Sequence, residues 1–175
     1  MSLSCIVLKP IGIVRHGYSD EHVKESINGV DGIIEIFPEY RAGLRGLEGF
    51  SHIIILAYLH KVSENTRNVL VVRPRGLARK LGIPLHTLPE VGVFSTDSPH
   101  RPNPIALTIA KLRDVDKDSG LLYVENIDLY NETPVLDIKP YTPSRRVDNV
   151  KIPQWLENIL SQMKQSSQNP FNVKY

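Results

Sequence analysis

From Gly92 to Leu107 the chain reads Gly-Val-Phe-Ser-Thr-Asp-Ser-Pro-His-Arg-Pro-Asn-Pro-Ile-Ala-Leu, which sets an imidazole, a guanidinium and a primary amide (His100, Arg101, Asn103) among three prolines. Pro99, Pro102 and Pro104 fix φ, remove backbone donors and bias the residue before each toward extended backbone. Neither a helix nor a central strand can run through such a stretch. A stiff loop carrying polar groups suits substrate positioning or charge stabilisation, and Arg101 and Asn103 are the residues placed to do it. A proline-rich turn with solvated side chains explains the same residues. On the residues alone the two readings stand level.

Absent motifs narrow the chemistry. The chain has no GxGxxG, no Walker GxxxxGK, no HExxH and no GxSxG, so the usual Rossmann route to a nucleotide cofactor is closed. The single cysteine, Cys5, excludes an intramolecular disulfide, a Cys-rich zinc site and a CxxC redox pair, and no metal-ligand spacing is present. A net charge of +2 decides little about nucleic acid. Its distribution says more, because Arg73, Arg75, Arg79 and Lys80 crowd one segment while Lys139, Arg145, Arg146 and Lys151 crowd another. Either set could face phosphate, with solvated surface as the plainer account.

The elements that must hold these groups follow from apolar patterning. Hydrophobic content of 41% in 175 residues is enough for a real core, and thirteen prolines with eleven glycines favour short strands over long helices. Ile6 to Val14 reads as a first strand, interrupted by Pro10 and Gly12, with Arg15, His16 and Tyr18 at its end. A polar connection, Ser19 to Asn28, leads to a strand over Ile33 to Phe37. Pro38 to Gly49 suits one helical turn. Phe50 to His60 is apolar apart from Ser51 and His52, as expected of a strand buried on both faces or lining a barrel. It ends in His60 and Lys61, polar groups well placed to meet a ligand, although His60 fits a satisfied rim histidine equally well.

Val69 to Val72 gives a short strand, Ala78 to Leu81 a helical piece, and Val91 to Thr96 a further β-like run. Ile105 to Val115 and Leu121 to Leu129 read as a hairpin, and Thr133 to Ile138 as the last strand. The fold expected is mainly β: a small closed or nearly closed β-barrel of seven or eight strands, with short helices and a C-terminal helix. The barrel domain spans 5–143, and 144–175 form the helix and tail. That helix starts at Pro153 and carries Trp155, Leu156, Ile159, Leu160 and Met163 on one face, with a polar, fraying end from Gln165. The longest apolar run, Ile53 to Leu59, is too short to span a bilayer and the N-terminus lacks the marks of a signal peptide, so a cytoplasmic protein with no membrane partner is expected.

Gly-Val-Phe-Ser-Thr followed by Arg-Pro-Asn-Pro-Ile strongly resembles the signature of the TsaA-like (TrmO) family of S-adenosylmethionine-dependent tRNA methyltransferases. Three further blocks resemble it in the same order: Pro-Ile-Gly-Ile-Val-Arg at Pro10 to Arg15, Gly-Leu-Glu-Gly-Phe-Ser-His at Gly46 to His52, and Asp-Leu-Tyr-Asn-Glu-Thr-Pro-Val-Leu-Asp-Ile-Lys-Pro-Tyr at Asp128 to Tyr141. The resemblance covers residues 5 to 143. It implies methyl transfer from S-adenosylmethionine to N6 of threonylcarbamoyladenosine, the base 3′ of the anticodon, with tRNA as partner, no metal, and a homodimer whose second chain completes the pocket. The apolar Trp155 to Met163 face, without an obvious partner in a closed barrel, is a candidate for the contact between chains.

Carried over by motif, the cofactor contacts fall on His60, Lys61, Asp97, Leu107, Asp128, Leu129, Tyr130 and Asn131. Arg101, Asn103 and Asp128 become the catalytic candidates, and Asp128 read without the family is an ordinary turn carboxylate. Two departures stand out. Bacterial members carry a Pro-Arg-Gln block where this chain has Ser19-Asp20-Glu21-His22-Val23-Lys24, and an arginine where it has Asp97. These changes leave room for another methyl acceptor. A barrel that binds RNA or a nucleoside without catalysis is the alternative from a different class; it would show basic and aromatic residues on one open face.

Overall fold

The structure, a computed structural model, describes residues 6–165, so Cys5 and the tail beyond Gln165 lie outside the described residues. Its strands are β1 (Gly12–Arg15), β2 (Val30–Ile36), β3 (His52–Tyr58), β4 (Val71–Val72), β5 (Val91–Gly92), β6 (Ile105–Asp116), β7 (Leu121–Ile127) and β8 (Pro134–Pro140). Helices are α1 (Asp20–Glu25), α2 (Arg75–Leu81) and α3 (Gln154–Gln165). The chain divides into two compact units: residues 1–69 with 99–143, and residues 70–98 with 144–175.

The first unit is a closed antiparallel barrel in the order β1-β2-β7-β6-β3-β8, with β8 returning to β1. Alternation builds it. Along β3, Ile53, Ile55 and Ala57 are fully buried while Ile54, Leu56 and Tyr58 on the other side are only partly covered. The same period fills the interior with Val14, Ile34, Leu122 and Val135. Each fully buried Ile or Leu contributes roughly 1.5–3 kcal/mol, against about 0–1 for an exposed ion pair, so the apolar interior holds the barrel and the surface charges are available for other work. Gly29 lets the turn into β2 lie against β7: its φ is +76°, and a Cβ there would stand 2.7 Å from the Asn126 carbonyl carbon and the Ile127 oxygen.

The mainly β class holds, but the barrel has six strands rather than seven or eight. The surplus runs behave differently for identifiable reasons. Val91–Thr96 does not continue as a strand, because the backbone N–H and the hydroxyl of Thr96 both donate to the Val93 carbonyl, at 3.1 and 2.9 Å, and close a turn. Only Val91 and Gly92 pair, with Val72 and Val71, as a two-stranded ribbon in the second unit. Ile6, Val7 and Leu8 are exposed and lie outside any strand, so β1 begins at Gly12. The segment read as a polar connection contains α1: Ser19 Oγ accepts from the His22 N–H at 3.2 Å, Asp20 and Glu21 suit the helix's positive end, and Val23 joins the barrel core.

In the second unit α2 buries Ala78 and Leu81 and ends on Gly82, whose φ of 65° supplies the left-handed cap. On α3, Trp155, Leu156, Ile159 and Leu160 are half-buried.

Candidate active site

Antiparallel pairing collects the ends of all six barrel strands at two mouths. The registers Val30 with Ile127, Tyr58 with Ile105 and Ile13 with Pro134 put the exits of β1, β3 and β7 at the same mouth as the entrances of β2, β6 and β8. Four segments meet there: Arg15 to Tyr18, His60-Lys61, the proline loop from Arg101 to Pro104, and Asp128 to Thr133. Backbone bonds tie them, the Leu59 N–H donating to the Pro104 oxygen and the Glu132 N–H to the Val14 oxygen, both at 2.8 Å.

His16 is the hub of this mouth. Its backbone N–H donates to Asn131 Oδ1 at 3.0 Å, its Nε2 lies 2.9 Å from the Leu129 carbonyl, and its Nδ1 accepts from the Tyr18 N–H at 3.2 Å. An Nδ1 that accepts assigns the proton to Nε2, so the ring is in the tautomer that donates to Leu129. With Oδ1 engaged, the orientation of the Asn131 amide is fixed. Tyr18 stacks on His22 at 4.9 Å between ring centroids and lies 5.7 Å from the His16 ring, which joins the start of α1 to the same cluster.

Lys61 is held by α1 as well. Its Nζ lies 2.5 and 2.7 Å from the two Asp20 carboxylate oxygens and 5.1 Å from the centroid of the Tyr130 ring. His60 beside it has its pKa lowered from the usual 6.5, by burial first and then by the Lys61 charge, with Asp20 and Glu132 opposing. The imidazole is therefore a neutral acceptor at pH 7. Asp128 is exposed, and among the described residues its carboxylate makes no hydrogen bond or ion pair. The Leu129 side chain is fully buried, so only its backbone can reach a ligand.

In the proline loop the Arg101 N–H donates to the Pro99 oxygen at 3.0 Å, and the Asn103 carbonyl accepts from the Ile105 N–H at 2.7 Å. His100 Nδ1 is 2.9 Å from Thr66 Oγ1. Arg101 is half-buried and Asn103 exposed. Leu107 sits on the barrel flank in β6, paired with Leu56, its side chain 65% exposed in an outward row with Ile105 and Ile109. From Ile105 to Ala110, β6 pairs with β3 alone, because its register with β7 begins at Lys111. That stretch is a strand edge with backbone groups to offer. Asp97 belongs to the second unit and is exposed.

The structure thus brings His60, Lys61, Arg101, Asn103 and Asp128 to Asn131 to one mouth, with Leu107 on the adjoining flank and Asp97 in the other unit. His16, Asp20 and Tyr18 are the residues that sequence reasoning missed. For Asp20 the Ser-Asp-Glu start of α1 was a usable signal; for His16 none was, since its partners are 113 and 115 positions away. Among the described residues no three His, Cys, Asp or Glu side chains gather into a metal site, and no helix is long and apolar enough to cross a membrane.

Fold and mouth define a class: a small β-barrel whose inter-strand loops, rather than a glycine-rich turn, gather the polar side chains at one mouth. Residues 22–148 match the family model of the tRNA-methyltransferase O N-terminal domain. The chain is 33% identical over 166 residues to a probable S-adenosyl-L-methionine-binding protein of Pyrococcus abyssi, covering 92% of this chain and 82% of that protein. It is 34% identical over 151 residues to the tRNA (adenine(37)-N6)-methyltransferase of Escherichia coli, covering 81% of this chain and 60% of that enzyme. The crystal structure of TrmO from Pseudomonas aeruginosa superposes with a TM-score of 0.60 at 26% identity, over 85% of this chain and 61% of that one. The chain belongs to the tRNA-methyltransferase O family.

Proposed function

We propose that the protein is an S-adenosylmethionine-dependent methyltransferase acting on N6 of threonylcarbamoyladenosine at tRNA position 37. The observation that carries this reading is the convergence of Asp128–Asn131, His60-Lys61 and the Arg101–Asn103 loop at one barrel mouth. The donor set fits the cofactor. An unpartnered carboxylate at Asp128 can accept from ribose hydroxyls or the amino group, the oriented Asn131 NH2 can donate, and the unpaired edge of β6 around Leu107 offers peptide groups for an adenine edge.

When bound, the cofactor supplies a sulfonium methyl as electrophile. The chain's own residues must hold the N6 nitrogen in line with it and accept the N6 proton as the new N–C bond forms. Asp128 and the neutral His60 are the two acceptors at the mouth. Arg101 and Asn103, on a backbone stiffened by prolines, position the substrate. Lys61, neutralised by Asp20 and resting on Tyr130, adds little net charge to a reaction in which positive charge is being dispersed.

The purified chain should bind S-adenosylmethionine and S-adenosylhomocysteine without added metal, giving a rise in melting temperature of several degrees at millimolar ligand. It should also methylate threonylcarbamoylated tRNA. A folded sample with no shift would point to a non-catalytic barrel; a shift without tRNA methylation would point to another acceptor.

A homodimer is part of this proposal. The Trp155 side of α3 lines a cleft within the second unit, whereas Ile105, Leu107 and Ile109 form an outward apolar row on the barrel, 38%, 65% and 45% exposed. A second copy is the occupant that would cover this row. Light scattering at micromolar concentration should report twice the chain mass, and Ile109→Glu should return it to one; a monomeric parent would sink the idea.

A further inference from the structure

We propose that the second unit is the surface that docks tRNA, with phosphates held by the cations of α2 and a base taken into the cleft beside Trp155. This rests on the reading of the protein as a tRNA methyltransferase and adds where the RNA is held. The first observation is segregation of charge. Residues 70–98 and 144–175 contain nine Lys and Arg against four Asp and Glu, whereas the barrel unit contains twelve against fifteen. Two basic stretches far apart in sequence, Arg73 to Lys80 and Arg145 to Lys151, fall in the same unit, and Lys139 stays in the barrel paired to Asp137.

Pairing separates the units further. Eight of the barrel unit's cations have carboxylate partners in that unit, including Arg15 with Glu35, Lys61 with Asp20, and both Lys111 and Arg113 with Glu125. In the second unit Arg73 pairs with Glu90 and Arg146 with Asp148. Among the described residues Arg75, Arg79, Lys80, Arg145 and Lys151 have no carboxylate within ion-pair distance. Arg75 and Arg79 are one turn apart on α2 and both exposed. Arg75 opens a helix whose first turn has no acid, so its charge opposes the helix dipole with nothing local to offset it. Exposed cations left unmatched and gathered in one unit are available to a partner, and a polyanion is the complement.

The second observation is a cleft of about 530 Å³ lined by Arg73, His86, Pro89, Trp155, Asn158 and Gln162 among others, all within this unit. The Leu85–Thr87 turn that forms one wall packs against α2, so the cationic helix and the cleft wall are neighbours in one unit. A half-buried indole and an imidazole beside amide side chains are what a splayed base needs: π faces to stack on and donors and acceptors for its edge.

Trp155 is the only tryptophan in the chain, so its emission reports on the cleft directly. Titrating the full chain with an anticodon stem-loop RNA should quench that emission saturably, with log K falling linearly against log salt. Arg75→Gln/Arg79→Gln should weaken binding about tenfold or more at low salt and reduce the salt slope by about one to two, the amount expected for two lost phosphate contacts. Its S-adenosylmethionine thermal shift should match the parent's, which shows the barrel intact, and Arg45→Gln on the barrel should change neither quantity. Parent affinity and slope in the double variant, or tight RNA binding without quenching, would overturn the dock while leaving the methyltransferase reading in place. A parent that binds the cofactor but neither binds nor methylates tRNA would overturn both. Equal, Arg75/Arg79-dependent binding to phosphatidylserine vesicles would overturn RNA in favour of a membrane surface.

Discussion

Asp128→Asn should lower the rate of methyl transfer by about 10²–10⁴, the usual contribution of a positioned proton acceptor, while leaving the melting temperature unchanged. Both halves follow from its surroundings. The carboxylate is exposed and among the described residues has no partner, so an isosteric amide orphans no neighbour and removes only a charge and an acceptor. Steady-state kinetics then sort its role. A fall in kcat at constant KM for S-adenosylmethionine identifies the proton acceptor, and a rise in KM identifies a cofactor ligand. Retention of rate within about threefold would remove Asp128 from the chemistry and move the base to His60. In that case the acid limb is diagnostic: the neutral imidazole is the working form, its pKa lies below the usual 6.5, and activity should fall as pH drops through that lowered value.

The barrel was legible where alternation was unbroken. Ile53, Ile55 and Ala57 point inward at every second position, yet the run between Phe50 and His60 reads as continuously apolar because the outward Ile54 and Leu56 are apolar too. An outer face that is only partly covered looks in sequence like a face that is buried. Val91 to Thr96 misleads for another reason. Its apolar content suits a strand, but the Thr96 hydroxyl competes for the Val93 carbonyl and turns the chain, and periodicity carries no trace of that bond. Around the site, Asp128 to Asn131 was visible only through a family block, since four polar-flanked residues after a strand otherwise spell a turn. The two basic stretches were visible as composition, while their presence in one unit is a consequence of the tertiary fold.

His16 is the residue whose removal should disturb the site most without touching the ligand. Through Nε2, Nδ1 and its own N–H it joins Leu129, Tyr18 and Asn131, so it fixes both the loop proposed to hold the cofactor and the turn that launches α1. His16→Ala deletes two side-chain bonds worth about 0.5–1.5 kcal/mol each, which corresponds to a KM for S-adenosylmethionine raised about 5- to 150-fold if the loop loses its bound geometry in proportion. Stability should fall as well, because the part-buried Leu129 carbonyl is left without its donor, and a lower melting temperature alone would not identify a positioning role. Ser26→Ala supplies the comparison. It removes another part-buried bond of the barrel unit, from the Ser26 hydroxyl to the Gly29 carbonyl at 2.6 Å, with no hydrogen bond to Leu129 or Asn131. Both variants should melt lower, but only His16→Ala should change KM, and His16→Gln, which keeps a donor for Leu129, should recover part of the affinity. Equal KM values in the two destabilised variants, measured well below their melting temperatures, would reduce His16 to a structural tie.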